Sequence, residues 1–165
     1  MTRSAFPALR WSGRGRRPAT VAAALALTAI SGLALAHSGA TGIVKQRMEA
    51  MKDIAAQMKQ IGAMIKGERD YDSAAASLAA GAIVQHAGNM LSLFPEGANE
   101  SPSEALTVIW TDWDGFSESA EELEANAVVL SEVAGNATSA AEIRAAFAAV
   151  GKTCSSCHED YRKPK

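Results

Sequence analysis

Residues 44–67 read VKQRMEAMKDIAAQMKQIGAMIKG, and the spacing of their side chains sets the interpretation of the whole chain. One stripe, joined by steps of three and four residues, comprises Val44, Arg47, Met51, Ile54, Met58, Ile61 and Ile65. Such steps place side chains on one face of an α-helix, so the stretch predicts an amphipathic helix. Gly67 predicts its end, because glycine commonly follows a helix C-terminus.

Three further stretches have the same helical spacing. The second is predicted to start near Asp72 and to stop before Pro95. The third is predicted to start at Ser101, since Ser101-Pro102-Ser103-Glu104 offers a capping serine, a proline at the first helical position and a glutamate three residues on. Its stripe comprises Leu106, Ile109, Trp113, Phe116, Ala120, Leu123, Ala127 and Leu130.

The fourth stretch begins at a second capping box, formed by Ser139 and Glu142. Its stripe comprises Ile143, Phe147, Val150, Cys154, Cys157 and Tyr161. No stretch alternates with a period of two for long enough to suggest a strand. The sequence therefore predicts an all-α fold, with four antiparallel helices in a four-helix bundle.

The first 36 residues differ from the rest of the chain. They carry five arginines and no acidic residue, then an uncharged run from Val21 to Leu35 and a small-x-small site at Ala34-Leu35-Ala36. This order is typical of a secretory signal peptide, and the run is short for a membrane anchor. We expect a signal peptide at 1–36, the folded domain at 37–165, and export by the general secretory route to the periplasm.

Charge limits the partners that the domain can bind. Removing residues 1–36 takes away five of the 16 basic residues and none of the 18 acidic ones, which leaves a net formal charge of −7. Nucleic acid and anionic lipid are poor partners for such a surface, because both bind clustered Lys and Arg. We expect no stable membrane insertion after cleavage, and a basic or neutral protein partner.

The chemistry of the chain is concentrated in Cys154-Ser155-Ser156-Cys157-His158, a C-x-x-C-H sequence typical of covalent haem attachment. Two thiols one helical turn apart can each add to a haem vinyl group, and the adjacent His158 can bind the iron. Two alternatives remain at this stage. A thioredoxin-type dithiol requires a strand–turn–helix setting, and a zinc site requires further ligands.

The position of this motif in the last helix resembles the class II c-type cytochromes, the cytochrome c prime family. Other matching features are Arg162 four residues after His158, Arg47 with Met51, Lys66-Gly67, Leu93-Phe94-Pro95 and Ile109-Trp110. The resemblance covers residues 41–164. It implies a four-helix bundle with one covalent haem c near one end, attached to Cys154 and Cys157 and bound through the proximal ligand His158.

The residue on the other side of the iron separates two functions in this family. Gas-binding members have an apolar or aromatic residue four positions after the first-helix arginine, whereas low-spin members have methionine. Here the position is Met51, so the resemblance implies a low-spin, His/Met-ligated electron carrier, not an enzyme. The alternative is a five-coordinate, high-spin protein that binds NO or CO, in which Met51 is a core side chain.

Several other residues are candidates for contact with the haem. Arg47 is the charged member of the first stripe, and a haem propionate is a candidate partner because an unpaired buried charge is costly. Arg162 is a second candidate for this role, or a cap for the last helix. His86 is expected to be a hydrogen-bonded interface residue. Trp110, Trp113 and Phe116 are expected in the core, and redox proteins or a second copy are the expected partners.

Overall fold

A computed structural model of the chain describes residues 39–164. Its helices are α1 (Gly42–Ile65), α2 (Ser73–Gly88), α3 (Val108–Thr111), α4 (Trp113–Asn136) and α5 (Arg144–Tyr161), with a 3-10 turn at Leu91–Leu93. Within the described residues, the extended pairing consists of one isolated bridge, between Ala105 and Arg162. The all-α prediction is confirmed. The predicted signal peptide at 1–36 lies outside the described residues.

Most side chains of the predicted stripes are buried between the helices. α4 packs against α2 and α5, and α1 packs mainly against α2. The largest fully buried side chains come from every stripe: Ile61, Ile83, Ile109, Leu130, Ile143 and Val150. The predicted four-helix bundle is therefore confirmed. None of the helices within residues 39–164 combines the length and the hydropathy that a bilayer crossing requires.

Small side chains let α2 and α4 approach closely. Ala80 on α2 and Ala127 on α4 are both completely buried. Beside them, Ser77 Oγ donates to Ser131 O at 3.0 Å, and Ser131 Oγ donates to Ser77 O at 3.2 Å. These two serines each satisfy a carbonyl of the facing helix, so the alanine-rich part of the sequence serves tight helix packing.

The predicted ends of the first two helices agree with the structure. After α1, Gly67 has φ +75°, its N–H donates to Met64 O, and Glu68 N–H donates to Ala63 O. This pair of bonds is a Schellman cap, which satisfies carbonyls that the helix leaves unpaired. At the start of α2, the Asp72 carboxylate accepts a bond from Ala75 N–H at 3.0 Å.

The predicted start of the third helix at Ser101 is wrong. α4 begins at Trp113, and Ser101 to Thr107 precede even the short helix α3. The intervening segment pairs with the C-terminus instead: Leu106 N–H donates to Tyr161 O at 3.0 Å, and Lys163 N–H donates to Glu104 O at 2.8 Å. These long-range bonds replace the local ones that a helix from Ser101 would form.

The start of the fourth helix is also later than predicted. Glu142 Oε1 accepts hydrogen bonds from Ser139 Oγ at 2.8 Å and from Thr138 Oγ1 at 2.9 Å, so the two residues of the capping box do meet. They close a turn, after which α5 begins at Arg144. Bonds from these two hydroxyls lower the pKa of Glu142, Ser139 having the larger effect.

Candidate haem site

The last two turns of α5 hold the C-x-x-C-H sequence. Cys154 and Cys157 are both free, half-buried thiols. Burial raises the pKa of Cys154 above its ordinary value, and it raises the pKa of Cys157 to about 11. Both sulfurs are therefore protonated near neutral pH. Each thiol packs against the hydrophobic core of the bundle, and such apolar surroundings disfavour the thiolate.

A cavity of about 300 Å³ opens beside these thiols, at the lower end of the roughly 300–1,000 Å³ typical of small-molecule sites. Helices α1, α4 and α5 supply most of its walls, and Met90 adds to them from the turn after α2. The lining residues are Met51, Ile54, Ala55, Met58, Met90, Phe116, Ser119, Ala120, Leu123, Gly151, Thr153, Cys154, Cys157 and His158. Four of the five predicted site residues thus line one cavity.

This donor set fits a covalently attached haem. The walls are predominantly apolar, as a porphyrin ring requires, and both thiols and the His158 imidazole lie on the same helix. Within residues 39–164, no three or more His, Cys, Asp and Glu side chains gather in an arrangement that could hold a metal ion.

Met51, which the resemblance implies as the distal iron ligand, lies on the cavity wall, and its ligation stays a prediction. It shares that wall with two further methionines, Met58 and Met90. Met90 was not predicted as a site residue. It belongs to the second stripe of the sequence, and that spacing was a signal that it faces the interior; the stripe comprises Ala79, Ile83, His86, Met90 and Leu93. The cavity therefore contains three thioether side chains.

Arg47 is 4% exposed and does not line the cavity. Its Nη2 donates to Ala98 O at 2.9 Å and to Ser103 Oγ at 2.8 Å, and its Nη1 donates to Leu93 O at 3.4 Å. The guanidinium also lies 4.3 Å from the ring centre of Phe94. Protein acceptors thus engage three of its five N–H groups, and the propionate contact stays a prediction. Burial lowers the pKa of Arg47 below its usual range.

His86 has the interface role that was expected. Its Nε2 lies 2.7 Å from Asp53 Oδ2, so the ring joins α2 to α1. Gln57 Nε2 donates to the other carboxylate oxygen at 3.2 Å. The bond from His86, followed by that from Gln57, lowers the pKa of Asp53. His86 is not among the residues that line the cavity.

The aromatic residues divide between the cavity and the surface. Phe116 is buried and lines the cavity, and its ring contacts Phe94 edge-to-face at a centroid distance of 4.7 Å. Trp110 Nε1 donates to Phe94 O and Pro95 O. Trp113 is 37% exposed, so the expectation that it lies in the core is wrong.

The C-terminal residues after the motif have protein partners. Arg162 Nε donates to Glu104 Oε2 at 2.9 Å, which gives this arginine a surface carboxylate as its partner in place of a helix cap. Tyr161 OH donates to Asp112 Oδ2 at 2.6 Å. That hydrogen bond, together with burial, raises the pKa of Tyr161 to about 12.

Comparison with known proteins identifies the family of the chain. A family model described as cytochrome C' matches residues 42–162. Cytochrome c-556 of Agrobacterium fabrum is 33% identical over 126 residues, which covers 76% of this chain and 84% of that protein. Cytochrome c' of Rhodopseudomonas palustris is 31% identical over 146 residues, which covers 86% of this chain and 98% of that protein.

Solved structures show the same architecture. Cytochrome c' from Rhodopseudomonas palustris has a TM-score of 0.70 and 29% identity, over 76% of this chain and 99% of that one. A ferrous variant of cytochrome c prime from Alcaligenes xylosoxidans with bound NO has a TM-score of 0.67 and 28% identity, over 74% and 94% of the two chains. Proteins of this family carry one covalently attached haem c per chain. The chain belongs to the cytochrome c' family.

Proposed function

We propose that Cys154 and Cys157 attach one haem c and that His158 is its proximal iron ligand. The observation that carries this proposal is that these three residues line one apolar cavity on three helices. Haem bound there would supply a redox-active iron. An open second axial position would favour gas binding, and an occupied one would favour electron transfer. The chain contributes two thiols one turn apart, an adjacent imidazole and walls that limit access of water.

The comparisons favour a five-coordinate, high-spin protein that binds diatomic ligands such as NO or CO. Relatives and solved structures in these comparisons bear the name cytochrome c', and one of those structures contains bound NO. In this chain, such a function would require the second axial position of the iron to stay open to the gas. Met51, Met58 and Met90 would then form the apolar surroundings of the bound gas.

One structural observation favours a second candidate, the low-spin electron carrier with His158 and Met51 on the iron. Met51 lines the cavity, and the resemblance assigns the methionine ligand of low-spin members to this position, four residues after Arg47. A thioether ligand would raise the reduction potential and keep the iron six-coordinate in both oxidation states, which favours fast electron exchange. The comparisons support this candidate less than the five-coordinate one.

Absorption spectra of the periplasmically matured ferrous protein, before and after addition of CO, separate the two candidates. Met51→Ala is compared with Met58→Ala and Met90→Ala, because all three methionines line the cavity. Broad high-spin bands that shift with CO in the native protein and all variants establish gas binding. Sharp bands that ignore CO, lost in Met51→Ala alone, establish His/Met ligation and overturn the five-coordinate proposal.

The attachment residues have their own test. Denaturation in acidified acetone should release no haem from the native protein, and all of it from any haem-loaded Cys154→Ala/Cys157→Ala variant. Ser155→Ala/Ser156→Ala is the control between the same two positions, and it should retain covalent haem. Release of haem from the native protein would contradict covalent attachment.

The proposed setting is the periplasm, with redox proteins as partners and no enzymatic reaction. One solved relative is a cytochrome c' with a ligand-controlled dimer dissociation. We propose a homodimer for this chain too. Sedimentation velocity of the ferrous holoprotein, with and without CO, tests it: a monomer under both conditions would contradict the proposal.

A further inference from the structure

Lysines recur every seven residues along α1 and at the residue that caps its C-terminus: they are Lys45, Lys52, Lys59 and Lys66. All four are exposed. Because seven residues make almost two helical turns, their side chains lie in one line on the helix surface, which we call the lysine stripe. The stripe contains four of the 11 basic residues of a domain with a net formal charge of −7.

The carboxylates are concentrated on a different helix. Helix α4 carries Asp114, Glu118, Glu121, Glu122, Glu124 and Glu132, and it has no Lys or Arg. Both α1 and α4 pack against α2, without substantial contact between α1 and α4. Positive and negative charge are therefore separated across the bundle. The net charge does not describe the potential near α1, because screening limits charge effects to about 8 Å at physiological salt.

The two middle lysines of the stripe differ from the two outer ones. Lys45 Nζ lies 3.7 Å from Glu49 Oε1, and Lys66 Nζ lies 3.9 Å from Glu68 Oε1. Among the described residues, neither Lys52 nor Lys59 has an ion-pair partner. The middle of the stripe consequently presents two ammonium groups that form no ion pair, about 10 Å apart along the helix.

These two lysines flank the entrance of the cavity. Ala55 is exposed and also lines the cavity, so it marks a place where the cavity reaches the surface. Lys52 precedes Ala55 by three residues and Lys59 follows it by four. Residues at these separations are neighbours on a helix surface. Glu118 and Glu122 stand beside Ser119 on the α4 side of the same cavity.

We propose that Lys52 and Lys59 form the docking site for an acidic protein, whose carboxylates bind α1 and bring it to the cavity entrance. This inference rests on the proposed haem site. The carboxylates on α4 would orient the partner by repelling it from the other side. Charge arranged in this way chiefly increases the rate of association and selects the partner. It replaces the expectation of a basic or neutral partner.

Two double variants test the proposal in the holoprotein. Lys52→Glu/Lys59→Glu changes the charge beside the cavity, whereas Lys45→Glu/Lys66→Glu makes the same change at the two ends of α1. The first readout is binding: poly-L-glutamate is titrated at low ionic strength, and backbone amide shifts are followed by NMR. We expect shifts at residues 52–59 in the native protein and the Lys45/Lys66 variant, and their loss in the Lys52/Lys59 variant.

The second readout is oxidation of the ferrous protein by hexacyanoferrate(III). The iron gives one electron and becomes ferric, and hexacyanoferrate(III) becomes hexacyanoferrate(II). At low ionic strength we expect the second-order rate constant to fall at least about tenfold in the Lys52/Lys59 variant, and clearly less in the Lys45/Lys66 variant. With tris(phenanthroline)cobalt(III), a cation, the same variant should react faster than the native protein.

Three outcomes would overturn the proposal. Equal effects of the two double variants would show that only net charge matters, and no effect of either would show that the lysines are merely solvated. Sedimentation with phosphatidylglycerol vesicles that depends on Lys52 and Lys59 would assign the stripe to a membrane surface instead of a protein. Absence of a haem spectrum from the native protein would contradict the proposed function. This result is distinguishable from failure of the docking proposal, because the poly-L-glutamate titration follows amide shifts on α1 itself.

Discussion

Arg47 shows how a charged residue can belong to an apolar stripe. Its stem packs on the core face of α1, while its guanidinium binds two backbone carbonyls and a hydroxyl of the segment 93–103 and stacks on Phe94. Hydrogen bonds to a charged group are stronger than neutral ones, and losing them leaves buried acceptors unsatisfied. Arg47 therefore fixes a loop to α1 one turn before Met51.

We expect Arg47→Met to lower the free energy of unfolding by about 2–3 kcal/mol, because it removes these charge-assisted bonds and keeps the apolar stem. Arg47→Lys should lose less, since an ammonium replaces some of the bonds but not the planar stacking on Phe94. Urea unfolding of the holoprotein measures both. Lys45→Met, at an exposed position, should change stability by less than about 0.5 kcal/mol, and equal losses in all three would contradict this role.

The Asp53–His86 bond makes stability depend on acidity. The pKa of Asp53 is lowered in the folded protein, chiefly by the hydrogen bond from His86 and next by that from Gln57. A carboxyl with a lowered folded-state pKa stabilises above its unfolded value of about 3.9 and loses this contribution as the pH falls through the folded value. We expect the urea midpoint of the native protein to fall more steeply below about pH 4 than that of Asp53→Asn.

The control for this pH series is Asp70→Asn, because Asp70 is exposed and outside the α1–α2 interface. It should follow the native protein through the acid range. Parallel curves for the native protein and Asp53→Asn would show that the bond to His86 makes no net contribution.

Helix ends that depend on neighbouring residues could be predicted from the sequence. Helix ends that depend on residues far along the chain could not. Gly67 closes α1 and Asp72 opens α2 through bonds within five residues. The capping sequence at Ser101 is locally as favourable as these two. The segment after it nevertheless pairs with Tyr161 and Lys163. This segment pairs with the C-terminus, and its region supplies the hydrogen-bond acceptors of Arg47. Together these interactions outweigh a capping preference of about 1 kcal/mol.

Two glycine substitutions, one at the end of α1 and one inside α2, should change stability in opposite directions. Gly67→Ala should destabilise by about 1 kcal/mol, because an alanine at φ +75° is strained. Gly81→Ala should stabilise by about 0.5–1 kcal/mol, since Gly81 lies inside α2 and the nearest neighbour of an added Cβ is Ser131 Oγ at 3.9 Å. Urea unfolding measures both, and changes of the same sign would refute the argument.

For the molecule as a whole, the segment 93–106 connects the two sides of the cavity. It holds Arg47 of α1 through Ser103 Oγ. Its backbone also pairs with Tyr161 at the end of α5 and with Lys163 beyond it, and Lys163 Nζ donates to Ser103 O. The helix that carries Met51 and the helix that carries His158 are thus both fastened to one segment.

This arrangement predicts that one substitution in the segment loosens two distant places. Ser103→Ala removes the buried hydroxyl that accepts from Arg47 and from Ala105 N–H. We expect faster amide hydrogen exchange both around Arg47 and at residues 161–163. Glu104→Gln alters an exposed ion pair with Arg162 and should change exchange little. Faster exchange around Arg47 alone would contradict the coupling.

The sequence alone determined the helical class, the stripes that form the core, the cap of α1 and the position of the thiols and imidazole on one helix. These features depend on residues within a few turns of one another, so periodicity and short motifs reveal them. The same locality explains why the C-x-x-C-H motif can be recognised in the sequence without knowledge of the cavity beside it.

Only the tertiary structure decided which methionines share the cavity, that Arg47 binds Ser103, and that the segment after Ser101 pairs with the C-terminus. Met90 reaches the same wall as Met51 because α2 packs on α1, and no spacing along one helix encodes that meeting. Contacts between residues dozens of positions apart depend on how the helices pack. Each side chain there interacts with the partner that the folded bundle places beside it.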